Sequence, residues 1–483
     1  MTTANDERRT ANSERLAAIG ERRTAGGERN PVRCSLFAVR FSPFSVLRSL
    51  ISVLLAAPLA AQAPVIDHVQ LVRQSVFDTD EATLWPLRLV NTLHITTLPY
   101  VIRRELLFQP GSPWDSARVA ESERNLRGLR VFRGVRIDSV RSDSGLVARV
   151  TTRDGWSTRP DFRFKSTGGE LDYTLALIED NLLGTATQAS LLYRNQPDRT
   201  STTVGFGQRR LIGGRIGVSA RYVDRSDGER AALSFGQPFF NLAARNSWGA
   251  SVVCRDERVL RYADGRLTPA DSIFRDYTLY RVDAAHALRA GSDGYLRVGV
   301  AAQLRRDDYH HPLTDATLHE GSTGAIGAWI EHRSARFLRT AGYNALTQEE
   351  DLDLSTVVRL GAWLAPGGAF GNDRPGVGPE FSARTGVQLP GGFLHASASA
   401  NGLLTDGVKV DSGSVQLAAT AAWLPSPRHL ALVHASIGAL KQPLPGSEYD
   451  LGLGAGPRGF RQHAFTGDRM YFVSAEYRYG LAP

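Results

Sequence analysis

From residue 156 onward the chain alternates apolar and polar residues in runs of about ten, and most runs end at a polar, Gly, Asp or Pro turn. The run at 295–304 is typical: Leu296 and Val298 lie on one face, and Arg297 and Gly299 lie on the other. A period of two residues indicates a β-strand whose two faces meet different environments. We identify about 14 to 16 such strands and no helix in this part of the chain.

Strands of about ten residues are long enough to cross a bilayer when tilted. Their polar faces are rich in Arg, Gln, Ser and Gly, as expected of a wet lumen, and a sheet in lipid has to close on itself. We therefore predict a mainly β fold with a transmembrane antiparallel β-barrel over 155–483. The alternative is a soluble β-sandwich or secreted barrel, whose apolar face would point inward. Aromatic residues near strand ends are expected to form girdles at the membrane surface, namely Tyr193, Tyr222, Tyr309, Trp329, Trp363 and Trp423.

Residues 64–154 have a different pattern, which predicts a small α/β domain. The order of elements is strand, helix, helix, strand, strand, in about 90 residues, an ordinary size for a small domain. Ser112 or Asp115 can cap the second helix, and Gly128 can end it. Asp143-Ser144-Gly145 predicts a hairpin turn between the last two strands. The five elements are predicted at 65–72, 100–107, 117–129, 135–140 and 146–152.

The composition and pattern of residues 1–63 predict a leader segment. Residues 1–33 are polar with mixed charge, a composition typical of disorder, or they come from an upstream start codon. Arg40 and Arg48 then precede an apolar run at 50–59, which is followed by Ala61-Gln62-Ala63. A basic lead, a short apolar core and an A-x-A site are typical of a secretory signal peptide, so we predict cleavage after Ala63. The alternative is an uncleaved anchor.

The charge and cysteine content argue against several classes of protein. The net charge is +8 with 22% charged residues, but the arginines occur singly along alternating strands, which argues against a nucleic-acid partner. Cys34 lies in the leader, so the mature chain keeps Cys254 alone and has no internal disulfide. We expect Cys254 to be a small residue on a strand face.

No motif points to catalysis or to a metal. The sequence has neither G-x-S-x-G nor H-E-x-x-H. His310 and His311 are adjacent, so in a strand they would point to opposite faces and could not hold one ion together. We predict no enzyme activity, no metal and no cofactor. The alternative, a hydrolase, would show phospholipase activity in the purified protein.

A glycine-flanked arginine precedes the last predicted strand. Gly456-Pro457-Arg458-Gly459-Phe460 and then Gly467-Asp468 lie before 469–479, where Tyr471 and Val473 share one face. Arg458 could reach inward from this loop and anchor it in the lumen. The alternative is a solvated arginine in a surface loop, which is the common outcome for so short a motif.

Three stretches together resemble the BamA/TamA superfamily of outer-membrane proteins over about 65–480. Residues 101–140 resemble a POTRA (polypeptide-transport-associated) domain, with Leu129, Phe132 and Val135 at the end of its second helix. Asn181-Leu182-Leu183-Gly184 is similar to an element near the start of the family's barrel. Arg458-Gly459-Phe460 is similar to the motif of the family's sixth extracellular loop, which folds back into the lumen.

The resemblance implies three regions: a leader at 1–63, one POTRA-like periplasmic domain at 64–154, and an outer-membrane barrel at 155–483. This chain departs from the family pattern in two respects. The POTRA-like unit is single and carries an insertion at 77–98, whereas assembly factors usually have several such units. Family members continue for several strands after the strand that follows the loop motif. We therefore expect the reading frame to continue beyond Pro483, with the acidic partner of Arg458 in that continuation.

By resemblance, the function would be assembly, insertion or translocation of other proteins at the Gram-negative outer membrane. The POTRA-like domain would receive clients by strand addition along Val135, Ile137 and Val140, and the barrel would open between its first and last strands. The implied partners are the lipid bilayer, lipopolysaccharide, unfolded outer-membrane or secreted clients, and accessory lipoproteins. The alternative is a passive pore or surface antigen that keeps the fold without assembly activity.

Overall fold

The computed structural model describes residues 64–77, 85, 88, 92 and 94–480, with short gaps inside the last range. The predicted leader at 1–63 therefore lies outside the described residues. No helix in the described part of the chain is long and apolar enough to cross a membrane. The gaps are 143–144, 168–169, 212–213, 264, 269–271, 312–316, 342, 344–348, 369–373, 406–408, 427, 453–455, 458 and 461–462.

Residues 64–154 form what we call the α/β layer. The elements are β1 (Ile66–Gln74), α1 (Pro99–Glu105), α2 (Ser116–Arg127), β2 (Phe132–Ser142) and β3 (Gly145–Asp154). The sheet order is β1-β3-β2, in which β3 pairs with β1 in parallel and with β2 antiparallel. The predicted order of elements is confirmed.

Apolar side chains from both helices fill the space over the three-stranded sheet. Ile102 of α1 and Leu126 of α2 are fully buried in one cluster with Ile66 and Val150. Of the two predicted N-cap candidates, Ser112 and Asp115, the structure selects Asp115, whose carboxylate accepts the backbone N–H groups of Ala117 and Arg118. Gly128 ends α2 as predicted.

Sixteen strands from the rest of the chain form one antiparallel sheet. Every pair of neighbours in the sheet consists of successive long strands in the sequence, joined by a turn, a loop or a small hairpin. The strands are β4 (Thr158–Thr167), β5 (Glu170–Leu182), β6 (Thr187–Gln196), β7 (Arg199–Gln208), β8 (Gly217–Arg225), β9 (Gly228–Gln237), β10 (Asn246–Val259), β13 (Ile273–Gly291), β14 (Gly294–His310), β15 (Thr317–Ser334), β18 (Thr356–Ala365), β19 (Gly376–Leu389), β20 (Gly392–Thr405), β21 (Lys409–Ser426), β22 (His429–Lys441) and β25 (Arg469–Tyr479).

Three small hairpins interrupt the connections between long strands. One follows β10, one separates β15 from β18, and one lies between β22 and β25. They are β11 (Tyr262–Ala263) with β12 (Arg266–Leu267), β16 (Phe337–Ala341) with β17 (Glu349–Asp353), and β23 (Tyr449–Leu451) with β24 (Phe465–Gly467).

The large sheet curls into a barrel. Leu444, three residues beyond the end of β22, packs on Val259, Ile273 and Tyr309 of β10, β13 and β14. In the sheet order β13 lies seven strands from β22, which would be about 34 Å in a flat sheet at about 4.8 Å per strand. Three residues reach at most about 11 Å. The contact therefore requires the sheet to bend round on itself.

The outer face of the barrel is apolar, and this excludes the soluble sandwich. Large apolar side chains point outward from nearly every strand and stay exposed, whereas a soluble protein rarely exposes so wide an apolar surface. Such a surface is expected where the barrel faces lipid. The fold is therefore mainly β, a transmembrane antiparallel barrel with an α/β layer before it. Examples of exposed outward residues are Leu177, Leu191, Val204, Leu233, Trp248, Val282, Val300, Ile326, Leu360, Leu417 and Val433.

The predicted aromatic girdle is right for some residues and wrong for others. Trp423, Tyr193 and Tyr222 are exposed on the outer face as predicted. Trp329 and Trp363 instead point into the lumen, where each lies flat against the glycine of the neighbouring strand. Tyr309 is 1% exposed and belongs to the buried cluster beneath Leu444. A missing side chain on one strand makes room for a ring from the next, so the inner face accommodates these aromatics.

Of these two glycines, Gly299 leaves the least room between its backbone and the neighbouring ring. We expect its replacement by valine to destabilise the barrel. An added Cβ would overlap the indole of Trp329, on which the guanidinium of Arg359 stacks at 4.0 Å from the ring centroid. Overpacking of this kind costs about 1–3 kcal/mol. The measurement is the unfolding midpoint of the detergent-solubilised chain, followed by tryptophan fluorescence. Gly207→Val is the matched control, because only Gln188 approaches that position, at 3.8 Å. Equal midpoints for the two variants would contradict the prediction.

Candidate functional site

The two ends of the sixteen-stranded sheet are strands with one unpaired edge each. β4 pairs with β5 alone, and β25 pairs with β22 alone. No pairing between β4 and β25 occurs within the described residues, although all other neighbouring strands of the sheet are hydrogen-bonded. We call this discontinuity the seam. Within the described residues it leaves two rows of backbone N–H and C=O groups without a strand partner.

Side chains on both sides of the seam are apolar and point outward. Phe162 and Phe164 of β4 are exposed, and so are Tyr471 and Val473 of β25, the latter two to 73% and 72%. The alternation predicted for 469–479 is confirmed, since its odd-numbered residues face outward and its even-numbered residues up to Glu476 are partly buried. The seam therefore lies within the apolar outer surface.

The α/β layer packs on one end of the barrel, which we call the near rim. The near rim consists of the turns that follow β5, β7, β9 and β15, among others. The first contact between the α/β layer and the near rim is a buried polar cluster around Asp154, the last residue of β3. The Asp154 carboxylate accepts hydrogen bonds from the backbone N–H and the hydroxyl of Thr97, at 2.7 and 3.0 Å, and lies 2.9 Å from Nε2 of His94.

The predicted barrel-start motif docks on this cluster. Asn181 is buried, donates from Nδ2 to the Thr97 hydroxyl at 3.0 Å, and accepts the Ala186 N–H across the turn. Gly184 has φ of +72° and accepts the backbone N–H of Leu98 at 2.9 Å. A Cβ at Gly184 would lie 2.8 Å from the Thr96 carbonyl, so glycine permits the close approach.

The other two residues of the motif have different surroundings. Leu182 ends β5, and Leu183 follows it with φ of +55°. Both side chains are exposed, Leu183 to 66%. The motif thus works through its Asn and Gly, which tie the first turn of the near rim to the segment that enters α1.

A buried ion pair joins α1 to the second turn of the near rim. Arg210, just after β7, binds the Glu105 carboxylate in a bidentate manner at 2.7 and 2.8 Å. The two side chains are only 9% and 8% exposed. Arg104 adds a hydrogen bond to the Arg210 carbonyl at 2.8 Å. A bidentate guanidinium–carboxylate pair fixes orientation as well as distance, so α1 is held in one position on the rim.

α2 reaches the turns farther round the rim. The Glu121 carboxylate accepts the backbone N–H of Leu242, between β9 and β10, at 2.6 Å. Arg127 binds Asp351 of β17 at 2.8 and 3.1 Å. In the sheet order β5 and β15 lie eight strands apart, half of the sixteen. The α/β layer therefore extends across the mouth of the barrel instead of hanging from one edge.

Arg124 illustrates how closely this contact is packed. Its guanidinium lies 4.4 Å from the centroid of the Phe337 ring in β16. Burial lowers the pKa of Arg124, and the carboxylates of Glu121 and Asp351 partly oppose that effect. The group stays charged at neutral pH because arginine starts from so high a value.

The predicted client edge is an edge strand in the structure. β2 lies at one side of the three-stranded sheet, and Val135 and Ile137 are buried beneath the helices, with Val140 half-buried. The backbone N–H of Ile137 already donates to the Glu123 carboxylate of α2 at 2.8 Å. A strand added along β2 would have to displace this side chain. Client binding at this edge stays a prediction.

The loop motif lies at the opposite end of the barrel, which we call the far rim. Arg458 is outside the described residues. Gly459 and Phe460 are exposed, and Phe460 packs edge-on against Phe465 at 4.9 Å between ring centroids. Gly467 ends β24, and the carbonyl of Asp468 accepts the N–H of Leu440 at 2.7 Å. An inward anchoring role for Arg458 stays a prediction.

Other residues of the loop between β22 and β25 attach it to the small hairpin that follows β10. His463 stacks on Tyr262 of β11 with 3.8 Å between ring centroids, and Glu448 pairs with Arg261 at 2.7 Å. Burial raises the pKa of Tyr262, and the Asp198 carboxylate, which accepts its hydroxyl at 3.1 Å, adds to the rise. The linear pattern carries no signal for these contacts, because their partners lie far apart along the chain.

Comparison with known proteins finds similarity to solved structures only. No protein-family model matches the chain, and no curated protein matches it. The structure of BamA from Haemophilus ducreyi lacking POTRA domains 1–3 is 10% identical, with 85% of this chain and 84% of that chain covered and a TM-score of 0.35. CdiB from Acinetobacter baumannii is 10% identical over 92% and 89%, with a TM-score of 0.40. CdiB from Escherichia coli is 12% identical over 85% and 76%, with a TM-score of 0.34.

Proposed function

We propose that this chain is an outer-membrane protein of the BamA/TamA type that inserts or translocates other proteins through the seam of its barrel. The observation that carries the proposal is the unpaired edge of β4, which pairs with β5 alone in a sheet whose other neighbouring strands are hydrogen-bonded within the described residues. The proposal assigns no catalytic chemistry to the chain.

A client strand would bind at the seam because backbone groups without a hydrogen-bond partner are costly in lipid. Each backbone N–H or C=O without a partner costs several kcal/mol in the hydrocarbon region. β4 pairs over all ten of its residues with β5, and its other side has no strand partner within the described residues. A client strand entering the seam would pair with that edge, in the manner of strand addition to an exposed sheet edge. Pro160 lies on β4, and proline in a sheet is confined to edges such as this.

The α/β layer would act as a POTRA-like periplasmic domain beneath the barrel. Its ion pairs and hydrogen bonds to the near rim hold it across the mouth, which a client from the periplasm would meet first. We expect the outer-membrane bilayer, lipopolysaccharide and accessory lipoproteins as further partners. A passive pore or surface antigen of the same fold would bind no client protein.

A site-specific photocrosslinker at Phe162 of β4 tests the seam. We expect it to capture newly exported outer-membrane proteins, since its side chain is 67% exposed on the strand that carries the unpaired edge. The matched control is the same crosslinker at Ile326 of β15, which is 58% exposed on the outer face but lies in a strand paired on both sides.

Depletion of the protein supplies the second measurement. If the seam inserts clients, the amounts of other outer-membrane barrels should fall as the protein disappears. Equal crosslinking at Phe162 and Ile326, together with unchanged barrel levels after depletion, would contradict the assembly role. That combination would favour a pore or surface antigen that has kept the fold.

A further inference from the structure

The inner wall of the barrel carries a cluster of arginines toward the far rim. Register places Arg230 of β9 directly opposite Arg255 of β10, and Arg255 opposite Tyr277 of β13. The neighbouring outward positions, such as Tyr222, Leu233 and Leu304, are exposed and apolar, so the arginines point inward by strand alternation. We call this cluster the arginine basin; its members are Arg221, Arg225, Arg230, Arg255, Arg275 and Arg305.

Three guanidiniums of the basin surround one aromatic ring. The side chains of Arg255, Arg275 and Arg305 lie 5.0, 4.8 and 5.7 Å from the centroid of Tyr277. Cation–π contact holds an arginine side chain without neutralising its charge. The ring therefore gathers positive charge into a small region of the wall.

Two carboxylates are too few to neutralise the basin. Glu257 pairs with Arg225 at 2.6 Å and lies 3.8 Å from both Arg255 and Arg275. Asp307 binds Arg275 at 2.8 Å and also pairs with Arg305. Within the described residues these are the carboxylates bonded to the six arginines, which leaves a surplus of four positive charges.

Arg221 and Arg230 account for two of the four surplus charges. No ion pair in the described part of the chain includes either residue, and repulsion of Arg230 by Arg255, Arg225 and Arg221 opposes its attraction to Glu257. Like charges directly opposite each other on neighbouring strands are destabilising. Arg230 and Arg255 are such a pair, so the folded sheet is stabilised if an anion lies between them.

We propose that the arginine basin binds a soluble anion that carries more than one phosphate group. Guanidinium forks bind phosphate oxygens in a bidentate manner. Each phosphate group has a charge of about −1.5 to −2 at neutral pH, so two of them match the surplus. Lipid headgroups lie on the other side of the sheet, which restricts the ligand to water-soluble molecules.

A cavity of about 460 Å³ gives access to the basin from beneath the far-rim loop. Arg275 and Glu257 line it. The acidic residues of its roof already have partners, since Glu448 pairs with Arg261 and Asp450 pairs with His463. The roof therefore does not compete for the free arginines below it.

Calorimetric titration of the full chain in detergent with pyrophosphate, at low ionic strength, tests the proposal. We expect the double variant Arg221→Gln/Arg230→Gln to bind pyrophosphate about tenfold more weakly or worse, as expected for the loss of hydrogen bonds to a charged group. Neither substitution leaves a carboxylate without its partner. Unfolding midpoints equal to the unsubstituted chain would show that the variant folds.

Arg305→Gln and Arg306→Gln form a second, matched pair of variants. The two residues are adjacent on β14 and point to opposite faces of the sheet, and Asp307 keeps Arg275 as a partner when Arg305 is removed. We expect Arg305→Gln to weaken pyrophosphate binding and Arg306→Gln to leave it unchanged. Absence of binding by the unsubstituted chain at millimolar pyrophosphate, or equal loss in both variants, would overturn the proposal.

Discussion

Replacing Arg210 with glutamine should release α1 from the near rim of the barrel. The substitution leaves the buried Glu105 carboxylate without its bidentate partner. Removing one member of a buried ion pair costs about 3–5 kcal/mol, because the remaining charge stays out of water. The measurement is amide hydrogen exchange by mass spectrometry, in which α1 should exchange much faster while the strands of the barrel keep their protection.

The double variant Glu105→Leu/Arg210→Met separates charge from packing. It removes both charged groups and keeps an apolar contact of similar size, so most of the protection of α1 should return. Arg136→Gln is the second control, since the Arg136–Asp138 pair lies at the surface and surface pairs contribute little. Unchanged exchange of α1 in Arg210→Gln would show that the pair does not hold the helix.

Replacing Asp154 with alanine should loosen the α/β layer at its junction with the barrel. The carboxylate accepts two hydrogen bonds from Thr97, and Thr97 is fully buried. A buried donor left without an acceptor costs about 1–3 kcal/mol, and here a backbone N–H and a hydroxyl both lose theirs. Because Thr97 also accepts from Asn181, the first near-rim turn should lose protection as well.

Hydrogen exchange at 94–98 and 181–186 measures this effect, and faster exchange in both segments is the expected result. Asp138→Ala is the control, because Asp138 pairs with an exposed arginine on β2. If 94–98 alone exchanged faster, the cluster would stabilise the α/β layer without coupling it to the barrel turn.

The α/β layer was predictable from sequence in its order of elements and in its caps. Asp115 and Gly128 bound α2 where the sequence places them, because capping depends on side chains within about three residues of the helix end. The pairing order β1-β3-β2 was not predictable. It depends on contacts between the first and the last strand of the layer, which both helices separate along the chain.

The barrel followed from alternation alone, but the position of individual aromatics did not. Period two predicts that Trp329 and Trp363 lie on one face or the other; it does not say which face is lipid. Their true place depends on Gly299 and Gly327 in neighbouring strands, and strand register decides which residues become neighbours. That register is a property of the folded sheet.

The sequence by itself determined the local rules of this protein: strand length, the apolar and polar faces, and the helix caps. Each of these depends on residues within a few positions of one another. Only the tertiary structure decided how the α/β layer sits across the near rim, where the seam lies, and that six arginines share one wall. Those features join residues up to 224 positions apart, as Arg127 and Asp351 are, and such pairs have no signature in the linear pattern.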